Sequence, residues 1–269
     1  MTMKSLVILF YFLISSVWAQ EPTAYMAKFD SRVYSLKTKG VKDFVVDIES
    51  DKLTKQLNDQ MIFGRVKEVI FRTYWTANPE RIAIEVLGLP EGFREVKEEL
   101  KLSILSLMDN LIPVPMVNRF AGYKLVAGPG AKEFTAQDTT GIASIPSYVL
   151  KFDAQDKLTQ IIAKKNIGSL TITPAYEKES FTEGRWVLKS QTSSNAENGQ
   201  TLTIKKTLTY GTAQGIGVLT GLRVMTEQKL EGSKAKPLNS EESLEFKNYK
   251  INSGDAFKYF LGETGKTSP

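Results

Sequence analysis

Ser233 and Lys236 stand at the S-x-x-K spacing, in which an amine can accept the proton of a serine nucleophile. A lysine in that role must be desolvated so that its pKa falls. This one lies in the hydrophilic run 231–242, read as a loop, where its ammonium stays solvated. Two carboxylate pairs, Asp43/Asp47 and Glu98/Glu99, have the residue type for acid–base work. The first pair falls on the polar side of an alternating strand and the second on the polar side of an amphipathic helix. Both read as solvated faces. Gly215, Gly217 and Gly221 imitate a dinucleotide fingerprint, but the second gap is one residue too long and a strand follows instead of a helix. They read as a tight connection or a bulge, and Gly128-Pro129-Gly130 as a turn. The chain of 269 residues contains no His and no Cys. Ser–His and Cys–His pairs, thiolate chemistry, disulfides and imidazole-bound zinc are therefore excluded. There is no G-x-S-x-G elbow either. The reading is a non-enzyme that needs no cofactor and no metal.

The remaining candidates are apolar and have to be positioned by strands and helices. Residues 23–39 predict a first helix, with Tyr25, Phe29, Val33 and Leu36 on one stripe and Gly40 as its stop. Residues 41–49 alternate, with Phe44, Val46 and Ile48 on one face of a half-buried strand. Ser50 is placed to cap a short helix that reaches Gln60. Residues 66–75 and 81–87 read as strands joined by the turn 77–80, presenting Phe71 and Trp75, then Ile82, Ile84 and Val86. Phe93, Val96, Leu100, Ile104, Leu107, Met108 and Leu111 recur at helical spacing and predict one helix of about five turns. Pro113 and Pro115 stop it, and residues 112–117 read as apolar but irregular. From Gly122 onward the chain reads as strand and turn. A hairpin spans 148–163, Trp186 and Leu188 lie on a strand over 184–192, a turn covers 193–199, and further strands occupy 201–210, 222–229 and 243–251. This order predicts an α+β chain, mostly β: a strongly curved antiparallel sheet closed on one side by helices. The apolar residues are either an ordinary packed core or the lining of a cavity between helix and sheet. Pattern alone does not separate the two.

The N-terminus has the organisation of a secretory signal. Lys4 precedes an apolar run from Leu6 to Ile14, and Val17-Trp18-Ala19 offers small or neutral side chains where a signal peptidase reads. The run is shorter than the roughly 20 residues of a spanning helix. Residues 1–19 are therefore expected to be removed, with cleavage after Ala19, leaving 20–269 as a single domain. The net charge of +5 implies attraction to anionic surfaces. Lys and Arg alternate with Asp and Glu, so no nucleic-acid patch is expected.

Several segments carry a resemblance. They are Tyr34-Ser35-Leu36 through Asp43-Phe44, the strand–turn–strand Tyr74-Trp75-Thr76-Ala77-Asn78-Pro79-Glu80-Arg81-Ile82, the hairpin from Leu150 to Leu158, and the closing Phe246-Lys247-Asn248-Tyr249-Lys250-Ile251-Asn252. In that order, behind a signal peptide, they resemble the outer-membrane lipoprotein-sorting, or lipoprotein-carrier-like, family of bacterial periplasmic proteins. The resemblance implies a half-open antiparallel barrel with a helical lid, holding acyl chains in an apolar cavity. It implies a periplasmic carrier whose partners are a lipid or an acylated protein, with transient contact to an anionic membrane surface or envelope proteins. Ala77-Asn78-Pro79 lacks the family's Arg before Pro, and Phe44-Val45-Val46 replaces its Phe-x-Gln. Lipid binding is thus implied more directly than lipoprotein transfer. The residues expected to line the cavity are Phe44, Val46, Phe71, Trp75, Ile84 and Trp186, with Leu100, Ile104, Leu107, Met108 and Leu111 on the lid. The alternative is a non-enzymatic envelope interaction or sensor module with a fully packed core.

Overall fold

The computed structural model describes residues 21–60, 66–130, 132–230, 232 and 236–262. The expected signal peptide 1–19 and Ser233 of the S-x-x-K pair lie outside them.

Alternation of apolar and polar residues produces a single antiparallel sheet of twelve strands. Helix α1 (Pro22–Arg32) leads through a 3-10 turn, closed by Gly40 at φ 72°, into β1 (Asp43–Glu49). Helix α2 (Asp51–Gln60) follows, and the Ser50 hydroxyl accepts the Leu53 N–H at its start, as predicted. Strands β2 (Ile70–Ala77) and β3 (Glu80–Leu87) form a hairpin. Three helical pieces come next: α3 (Arg94–Leu105), α4 (Met108–Leu111) and α5 (Met116–Arg119). The chain then meanders through β4 (Tyr123–Ala127), β5 (Glu133–Asp138), β6 (Ser147–Phe152), β7 (Leu158–Lys164), β8 (Ser169–Glu177), β9 (Val187–Glu197), β10 (Gln200–Ala213), β11 (Ile216–Leu230) and β12 (Leu238–Ile251). Strand β12 pairs with β1, so β3 and β4 are the two edges. The sheet is not closed into a barrel.

This topology places the helices. The chain leaves one edge of the sheet at β3 and re-enters at the other edge, β4. The connection between them, α3 to α5, packs its apolar side chains on the same sheet face as α1. The opposite face is covered at β1 and β2 by α6 (Asp255–Leu261), where Tyr74 stacks on Tyr259 with ring centroids 3.9 Å apart.

Several local expectations change. The first helix ends at Arg32, not Lys39. The five-turn helix is broken at Ser106–Leu107. There the Ser106 hydroxyl donates to the Ser103 carbonyl at 2.7 Å and the Asn110 amide to the Leu107 carbonyl at 2.8 Å, so side chains compete with the helical ladder. Residues 112–117 are not wholly irregular, because Met116 opens α5 directly after Pro115. The turn at 193–199 shrinks to Asn198–Gly199, since β9 keeps partners on both sides as far as Ala196 and pairs with β10 as far as Glu197. The expected loop 231–242 is strand from Leu238 on, where pairing with β11 overrides weak local propensity.

Asp43 and Asp47 are not on a solvated face; both are buried. The Asp47 carboxylate takes a two-pronged bond from the Arg72 guanidinium at 2.8 and 3.1 Å. Asp43 accepts the Gly254 N–H at 3.0 Å before α6. The glycine reading holds. Gly215 takes φ 78° in the β10–β11 turn, and Gly221 lies at the bulge opposite Thr209. At Gly217 a Cβ would meet the Phe181 ring at 2.0 Å.

Candidate functional site

Two apolar clusters lie side by side between helices and sheet. One joins β1, β2, β3, β11 and β12 to α3 and α4 around Phe44, Phe71 and Trp75. The other joins β5 to β8 to α1 and α5 around Tyr25, Phe29, Leu150 and Phe152. They do not merge. A cavity of about 230 Å³ separates them. Its walls take Leu36, Leu111, Val218 and Leu219 from the first cluster and Phe29, Met116, Leu158, Ile161 and Ile172 from the second. The segment 113–116 covers it, and Tyr34, Tyr176 and Tyr210 also line it. A second space of about 330 Å³ shares Asp109, Val114, Arg119, Ile161 and Ile172 with the first and continues to Phe120, Tyr148 and Leu170. Each exceeds the roughly 150 Å³ that admits a benzene-sized guest.

Three polar arrangements hold the walls. The Asp30 carboxylate on α1 accepts the Met116 N–H at 2.8 Å and the Val117 N–H at 3.1 Å, capping the first turn of α5. Burial raises the Asp30 pKa, and those two N–H bonds pull against the rise. The Arg119 guanidinium clasps Asp109 at 2.9 Å, tying α5 to α4. Along another face of α1, Asp156 in the β6–β7 hairpin receives the Tyr25 hydroxyl at 2.5 Å, Lys132 at 2.6 Å, Lys28 at 2.9 Å and Arg32 at 3.4 Å. Lys132, Lys28 and Tyr25, in that order of effect, hold its carboxyl well below the usual carboxylate range. Tyr25, Lys28 and Arg32 thus fasten α1 to the sheet, while Asp30 ties it to α5.

Charges on the cavity wall are few, and most are answered. Lys37 meets Glu80 at 2.8 Å, Arg119 meets Asp109, and Asp30 has its two N–H groups. Lys206 on β10 is different. Among the described residues no carboxylate lies within 4.0 Å of its ammonium. Burial pushes its pKa down, with only partial relief from the charge of Asp109. The Tyr210 hydroxyl donates to the Leu188 carbonyl at 2.9 Å, and burial raises the pKa of both Tyr176 and Tyr210. Among the described residues no three carboxylates converge on a point where a metal ion would sit.

Of the eleven residues the sequence pointed to, the cavity wall contains Leu111. Phe44, Val46, Phe71, Trp75, Ile84, Ile104 and Met108 are buried in the first cluster, against which Leu100 and Leu107 pack. Phe44 stacks on Trp75 with centroids 5.1 Å apart. Trp186 belongs to the second cluster, 6.0 Å from the Phe29 ring. One wall residue was legible and was missed. Leu202, Ile204, Leu208 and Tyr210 share one side of β10, and Lys206 interrupts that apolar row. The contributions of Asp30, Ile161 and Ile172 had no such signal, because they depend on which strands α1 and α5 cross.

No family model, no curated protein and no solved structure matches the chain.

Proposed function

We propose that the protein is an exported carrier that holds the acyl part of a lipid, or of an acylated protein, in the apolar space between sheet and helices. On this reading the curved sheet acts as a half-open barrel and residues 106–119 as its lid. It works in the periplasm after loss of residues 1–19, and its basic surface helps it approach anionic head groups. The observation that carries the reading is the cavity between the two clusters, which two sets of large apolar side chains border without filling. Each methylene moved there from water gains about 0.8 kcal/mol before ordering costs. Binding alone accomplishes this, and no bond is made or broken.

The test is native mass spectrometry of protein purified from the periplasm, followed by organic extraction and by titration with the neutral apolar dye N-phenyl-1-naphthylamine. An extractable acylated mass and saturable dye uptake are expected. Ile172→Trp, which pushes an indole into both spaces, should abolish uptake while changing stability by no more than about 1–3 kcal/mol. A clean apo mass with no dye uptake would sink the carrier reading and leave an envelope interaction module.

A further inference from the structure

The polar wall of the cavity indicates which amphiphile fits. Lys206 faces inward from an apolar row of a central strand. Its cross-strand neighbour is Gln191, which also lines the cavity and is paired in turn with Pro174. From Lys206 the wall continues along β10 to Tyr210, about 13 Å away at about 3.3 Å per residue. Apolar side chains from β7, β8 and β11 flank that length.

Lys206 is half-buried, and an ammonium partly withdrawn from water is stabilised when an opposite charge meets it. The other two cations on this wall, Lys37 and Arg119, have carboxylate partners. Asp109, the carboxylate whose charge Lys206 feels, is already committed to Arg119.

Resting on the carrier reading above, we infer that the bound molecule carries an anionic head, a carboxylate or a phosphate monoester, which pairs with Lys206 while its single chain occupies the apolar walls. The Lys206 ammonium and the Gln191 amide, which also donates to the Ser193 hydroxyl at 3.2 Å, then donate to its oxygens. A neutral head of the same chain length leaves the ammonium unanswered and is discriminated against.

The test is competition against N-phenyl-1-naphthylamine by dodecanoate, dodecyl phosphate and dodecanol. It uses the wild-type chain and the variants Lys206→Met, Lys206→Gln and Lys206→Arg, each checked for native circular dichroism. Wild type is expected to bind at least one of the two anions about tenfold tighter than dodecanol, the scale of one charge-assisted hydrogen bond. The stronger anion identifies the head. Lys206→Met and Lys206→Gln should lose the preference while keeping dodecanol affinity, and Lys206→Arg should retain it. Dye uptake without a preference for either anion, or a preference that survives Lys206→Met and Lys206→Gln, overturns the head-group inference and leaves the carrier reading intact. Failure of wild type to take up dye or any of the amphiphiles overturns both.

Discussion

The two apolar interiors beneath the helices are built from the same residue types and end differently. In the half made by β1, β2, β3 and β12, Phe44, Val46, Ile48 and Phe71 are fully enclosed, and the α3 stripe closes over them. In the seam beside it, Ile161, Ile172, Val218 and Leu219 border a space. What differs is the covering segment. Helix α3 is regular and lays one continuous stripe on its strands. Residues 112–119 contain Pro113 and Pro115, which cannot extend a helix, so the chain spans the seam and buries Met116 alone. A carboxylate on α1 and an ion pair to α4 hold that bridge beside the one buried side chain, Met116.

The comparison can be broken at four places. The largest effect is expected from Ile104→Asp, which puts a carboxylate into the packed half at a residue only 4% exposed. Its cost should exceed about 3 kcal/mol. The β signal in circular dichroism and dye uptake should then disappear together. Loss of uptake with an intact β signal would mean that Ile104 belongs to the lid and that the two halves have been assigned the wrong way round.

Acid should weaken the seam next. The folded pKa of Asp156 lies below its unfolded value of 3.8, held down by Lys132, Lys28 and Tyr25, with Arg32 and Asp153 also facing this site. Its contribution is full above about pH 4 and is lost as pH falls below that toward the folded pKa. The melting temperature of Asp156→Asn should therefore be lower at pH 7 and decline less steeply than wild type between pH 5 and pH 3. Parallel curves would show that the Asp156 cluster does not anchor α1.

Asp30→Ala leaves the Met116 and Val117 N–H groups without their acceptor and should cost about 1–2 kcal/mol. Amide exchange should accelerate over residues 112–120 and stay unchanged in β1 and β2. Uniform acceleration would mean that the segment and the packed half open as one unit.

The smallest effect has the opposite sign. Thr73 is wholly buried in β2, and its hydroxyl has no hydrogen-bond partner among the described residues. Thr73→Val removes that unanswered group at nearly constant shape and should raise stability by about 1 kcal/mol. A loss by thermal melt would show that the hydroxyl has a partner after all.

The sequence by itself determined the α+β class, the hairpins at β2–β3 and β6–β7 and the cap at Ser50. Each depends on a period of two or 3.6, or on one residue's backbone preference, and these act over a few neighbours. It also carried the inward Lys206, as one charge in the apolar row of β10. Only the tertiary structure decided that Phe44 and Trp75 are core while Ile161 and Ile172 border a cavity. All four alternate in the same way along their strands. Their difference lies in what covers them, and that was set by partners distant in sequence: Asp30 reaching Met116, Asp156 gathering the α1 cations, and β12 returning to β1. A residue's own type fixes which way it faces, whereas the fit of the opposite wall fixes whether anything is there to meet it.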